Sequence, residues 1–95
     1  MPPDVNASVR KFVPNSPKLS KLITKVLNTV YGVRYLPLDL VRLTVRRAFE
    51  LERDLEIDVE STIFEEKLTV YARQLRPRFA SKLGQIRRQQ IKRWR

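Results

Sequence analysis

An all-α fold, a small bundle of three to four helices with two short extended links and a basic C-terminal helix, is what this sequence predicts. Three observations predict it: apolar residues recur at helical spacing in separate stretches, helix start and stop residues bracket those stretches, and the strand-like runs between them are brief. On this reading residues 1–15 are an extended N-terminal arm, 16–76 a helical core and 77–95 an Arg-rich helix or arm.

Residues 1–15 contain Pro2, Pro3 and Pro14 and few apolar side chains, so an arm is expected, with Phe12 and Val13 able to dock. The first core helix begins at Ser16 as N-cap, with Pro17 at the first helical position, where its missing N–H costs nothing, and stops at Gly32. Leu19, Leu22, Ile23, Val26, Leu27 and Val30 give it one apolar face; Lys18, Lys21 and Lys25 share the opposite one. A short extended link or strand covers 33–36, where Val33 and Tyr35 have strand character between Gly32 and Pro37. Pro37 opens the second helix. Its stripe of Leu38, Val41, Val45, Ala48 and Phe49, with Leu40, Leu43 and Leu51 on other sides, marks it as central.

Residues 55–60 alternate apolar and acidic side chains in period two, so a half-exposed short strand is expected around 55–59. Thr62 and Glu65 have capping-box spacing and start the third helix, whose stripe is Phe64, Leu68, Tyr71 and Leu75. Pro77 breaks it. Phe79, Leu83, Ile86 and Trp94 mark a narrower stripe on a fourth helical segment, which Gly84 weakens. The helix, link, helix, link, helix order over 17–75 resembles the histone fold in architecture, although the central helix here, 37–53, is shorter. That resemblance implies two links that pair as short strands when two subunits interlock.

The chain has neither His nor Cys, which removes Ser-His and Cys-His nucleophiles, thiolate chemistry, disulfides and zinc or iron sites built on imidazole or thiolate. No catalytic set, metal site or cofactor is expected, and a non-enzymatic role follows. No apolar run approaches the ~20 residues that span a bilayer, and the N-terminus lacks a secretion signal. A soluble protein of the cytoplasm, nucleoid or nucleus, not secreted, is expected.

The net charge of +10 is segregated. Residues 1–48 hold nine basic and two acidic side chains, 49–67 two basic and eight acidic, and 68–95 nine basic and none acidic. In the last block Arg73, Arg76, Arg78, Lys82, Arg87, Arg88, Lys92, Arg93 and Arg95 are the candidate phosphate contacts, seven of them arginine, whose planar guanidinium suits phosphate and stacks on bases. Trp94 is either a base-stacking residue or the last member of the apolar stripe. Lys18, Lys21 and Lys25, with Arg42, Arg46 and Arg47, form secondary basic rows that either join the arm in one surface or are ordinary exposed faces.

The acidic block of Glu50, Glu52, Asp54, Glu56, Asp58 and Glu60 has no role in helix stability, because three of its members lie where a helix dipole disfavours them. It either pairs with the basic arm, within the chain or across subunits, or serves as an acidic edge that blocks strand pairing. A calcium loop is not expected, since the block lacks a turn glycine. The expected function is largely sequence-non-specific phosphate-backbone binding to duplex DNA or structured RNA, in chromatin, nucleoid or ribosome, by a homodimer. The alternative is an interaction module or assembly factor that docks on a larger complex or an acidic protein partner. A membrane-surface helix ranks below both, because the apolar face over 79–95 is narrow.

Overall fold

Ser16, Pro17 and Gly32 act as their chemistry dictates. In the computed structural model, which describes residues 4–93 and the side chains of 4–86 and Arg88, Ser16 Oγ accepts the Leu19 N–H at 3.4 Å. Gly32, at φ +62°, ends the helix in the left-handed region that favours glycine. The described residues form α1 (Val5–Phe12), α2 (Pro17–Tyr31), α3 (Leu38–Arg53), α4 (Thr62–Gln74), a 3-10 turn (Pro77–Phe79) and α5 (Ala80–Arg93), with no strand among them.

The expected N-terminal arm is instead a core helix from Val5 to Phe12. Asp4 caps it, its Oδ1 accepting the Ala7 N–H at 2.8 Å, and Val5, Val9 and Val13, spaced four apart, are buried together with Ser8. Eight residues do not hold a helix in water alone, so α1 is stabilised by packing on α2 and α3 and by the Val5 N–H donated to Arg34 O at 2.9 Å. Met1, Pro2 and Pro3 lie outside the described residues. Val9→Ala is therefore expected to remove about 2 kcal/mol of stability, read as a lower urea midpoint at unchanged slope. A residue on a solvated arm would move it by less than about 0.5 kcal/mol.

Helix α3, expected to be central, shares that position with α2, since each packs against the other, α1 and α4. Helix α3 buries Leu40, Val41, Thr44, Val45, Ala48 and Leu51. Thr44 is tolerated there because its hydroxyl donates back to Leu40 O at 2.9 Å.

The short strand expected at 55–59 does not form. Ile57 N–H donates to Leu51 O, Ser61 N–H to Asp58 O and Glu60 N–H to Asp58 Oδ1, each at 3.0 Å, so the backbone closes local turns, and among the described residues there is no partner strand. Ile57 and Val59 still rest on the core, which is what the alternation encoded, while Leu55 stays 51% exposed and Glu56 takes φ +51°. The cap of α4 is likewise one residue earlier than expected: Ser61 Oγ accepts the Phe64 N–H at 3.2 Å, and Thr62 is the first helical residue. The link at 33–36 is irregular, with a bend at Arg34, and buries Leu36, and neither link forms the strand that the histone-like order implied.

Phe64, Leu68, Ala72 and Leu75 press α4 onto α2 and α3. After Pro77 the chain turns, buries Phe79 and continues into α5, whose half-buried Leu83 packs against the core.

Candidate nucleic-acid interface

The ion pairs show how the segregated charge is used. Lys18 Nζ lies 2.7 Å from Glu60 Oε1, and Lys25 Nζ lies 3.1 Å from Glu65 Oε1, so two lysines of the α2 row face the loop before α4 and its first turn. The hydrogen bond and the charge of Glu60 raise the Lys18 pKa. On α3, Arg42 pairs with Asp39 at 3.2 Å, while Arg46 and Arg47 pair with Glu50 at 3.8 and 3.0 Å. Arg47 also lies over the Tyr71 ring, 5.7 Å from its centroid. Both secondary rows are thus largely matched inside the bundle. Lys21 is the exception, in a shallow polar hollow with Asn6, Thr24 and Asn28.

Among the described residues no member of the acidic block lies within 4.0 Å of a cation from Arg73 onward. Glu50 and Glu60 are taken by α3 and α2, and Glu52, Asp54, Glu56 and Asp58 are exposed. Among the described residues Glu50 and Glu60 of the block pair with the secondary rows and not with the arm. One described cation of the arm does meet a carboxylate: Lys82 Nζ lies 3.6 Å from Asp39 Oδ2, at the start of α3.

The arm itself divides. Arg76 belongs to the packing: its Nη2 donates to Val30 O at 2.5 Å, near the C-terminus of α2, and its guanidinium lies 5.3 Å from the Tyr31 ring centroid. Arg73 and Arg78 are exposed, and Arg88, also exposed, donates from Nε to Gly84 O at 3.3 Å. Arg87, Lys92 and Arg93 have backbone positions in α5; their side chains, and Trp94 and Arg95 altogether, lie outside the described residues. From Pro77 onward the chain carries seven cations and no carboxylate, and residues 1–76 together are only +3, with thirteen basic and ten acidic side chains.

A half-open groove of about 270 Å³ separates α5 from the end of α2 and the link after it. Tyr31, Val33 and Tyr35 line it on the bundle side, Leu83, Gly84 and Ile86 on α5, with Arg76 also exposed to it. Arg34 lies over the Tyr35 ring at 5.7 Å. No joint signal marks these residues in the sequence, since Tyr31 and Tyr35 are more than forty positions from Gly84. A helical glycine with no turn to make was the available hint.

Tyr31 ties this region to the core through its hydroxyl, which donates to Ala72 O at 2.5 Å. Burial raises its pKa, and the nearby Arg76 charge pulls the other way. A folded-state pKa above the unfolded value contributes stability that is complete below the unfolded pKa near 10 and is lost as pH rises through the folded one. Tyr31→Phe is expected to cost about 1 kcal/mol at neutral pH and to flatten the stability loss above pH 10, measured by urea titration at stepped pH.

Among the described residues no cluster of three or more acidic, His or Cys side chains is arranged to hold a metal ion, and no helix is long and apolar enough to cross a membrane. Comparison with protein families, curated proteins and solved structures finds no match to the chain.

Proposed function

We propose that this chain binds nucleic acid through phosphate contacts made by its C-terminal segment, largely without sequence preference. The observation that carries the reading is the division of charge: the carboxylates that meet cations do so chiefly on α2 and α3, whereas the segment beyond Pro77 carries seven cations and no acid. The 3-10 turn buries Phe79, α5 rests Leu83 on the core, and Arg78 and Arg88 are exposed to solvent. Phosphate contacts of this kind position a protein and read little sequence. Fluorescence anisotropy against random duplex DNA and a structured RNA tests it: submicromolar binding at 50 mM salt, weakly dependent on sequence, is expected, and binding weaker than about 10⁻⁴ M to both overturns it.

A second reading, an interaction module that forms a homodimer or docks on a larger assembly, is favoured by Ile63 and Val70. They are 55% and 51% exposed and lie on one face of α4, two turns apart. Sedimentation equilibrium tests it. A dimer that Ile63→Glu with Val70→Glu converts to monomer supports it, and a monomeric parent chain rejects the homodimer.

A further inference from the structure

We infer, resting on the nucleic-acid reading above, that the groove between α5 and the α2–α3 link receives one unpaired nucleobase of the bound strand. Three features point to a planar aromatic ligand that is part of a polyanion. The groove sets the half-buried Tyr35 ring opposite aliphatic side chains of α5, a mixture on which bases stack without regard to their identity, while the buried Tyr31, its ring overlaid by Arg76, contributes to the wall. Cations surround it and no carboxylate lines it: Arg76 is in its wall, and Arg34 lies over Tyr35. Arg88 Nη2 comes within 3.9 Å of where a Cβ on Gly84 would lie. A base entering the groove therefore brings its flanking phosphates within reach of guanidinium groups.

Gly84 is the third feature. Glycine weakens a helix interior, and nothing in the fold requires it here. Its φ is not positive, and the Arg88 side-chain tip is the nearest atom an added Cβ would meet. What the missing side chain does provide is open space on the α5 side of the groove. At about 270 Å³ the groove lies just below the roughly 300–1,000 Å³ of drug-sized sites, room for one ring system and not for a folded cofactor. Bases become available in this form in bulges, loops and single strands, and recognition of structured RNA depends on them.

The test uses the full chain and two RNA duplexes with the same number of base pairs, one perfectly paired and one with a single bulged 2-aminopurine nucleotide, which adds one phosphate. The bulged duplex is expected to bind roughly 5- to 100-fold more tightly, with a change in 2-aminopurine fluorescence on binding. Gly84→Leu, which fills the groove, and Tyr35→Ala, which removes a stacking face, should each abolish the preference while affinity for the paired duplex stays within about twofold. Gly84→Ala is the control for helix effects, since it strengthens α5 by propensity and should weaken the preference while helical ellipticity holds or rises. Equal affinity for the two duplexes, or a preference that survives Gly84→Leu, overturns the groove assignment and leaves phosphate binding standing. Failure to bind either duplex overturns both.

Discussion

A chain ended at Arg76 is expected to lose its affinity for duplex nucleic acid and, with it, most of the salt dependence. Seven cations lie beyond that point. If each meets one phosphate, the slope of log K against log salt is about −6, so the full chain should weaken by roughly 10⁴-fold between 50 and 200 mM. The remaining residues have a net charge of only +3, and several of their cations are already engaged by Glu50, Glu60 and Glu65. Truncation also removes buried Phe79, so a second variant separates charge from packing: Arg78→Gln, Lys82→Gln, Arg87→Gln and Arg88→Gln in the full chain. Each neutralised contact should reduce the slope by about 1. A shallow slope for the parent chain, or equal slopes for parent and truncated chain, would reject the C-terminal segment as the phosphate reader. Such a result would move attention to the α4 face.

The parts of this fold that were legible from sequence are those whose signals are local and redundant. Ser16, Pro17 and Gly32 each act on the backbone within one turn, and the apolar stripes of α2 and α3 are long enough for the helical period to dominate. Helix α1 was not legible for the opposite reason. Its three buried valines and the Asp4 cap are a short pattern between prolines, and the free energy that holds it comes from α2, α3 and the Arg34 carbonyl, none of which is local. At 55–60 the alternation marked Ile57 and Val59, which rest on the core, but also Leu55, which does not; a strand also needs a partner, and Asp58 supplies a turn in its place.

The same distinction governs the site. Counting charge located the basic segment, whereas nothing in the spacing of Arg76 reveals that it is held by Val30 O and the Tyr31 ring. Nor does spacing show that Lys18 and Lys25 face acidic partners more than thirty residues away. Convergence of residues distant in the chain is a property of packing, and the groove beside Gly84 depends on it.

Phe64→Ala is expected to have the largest effect on stability, roughly 3–5 kcal/mol, in a domain of this length that holds only about 5–14 kcal/mol in all. Phe64 is fully buried in the first turn of α4, where Ser61 fixes its backbone N–H. Its ring helps seat that turn on α2 and α3. The other ties across the α2–α4 boundary cannot replace it. Lys18–Glu60 and Lys25–Glu65 are exposed pairs, each worth about 0–1 kcal/mol and screened by salt, and the Tyr31 hydrogen bond to Ala72 contributes about 1 kcal/mol. Urea unfolding followed at 222 nm measures the loss, and a change below about 1 kcal/mol would show that α4 is held by something other than this burial. The variant also divides the two functional claims. Phosphate contacts require only the cations beyond Pro77, so steep salt-dependent binding should persist in Phe64→Ala. The base groove requires Tyr31 and Tyr35 to be held opposite Gly84, so preference for the bulged duplex should disappear as the core loosens.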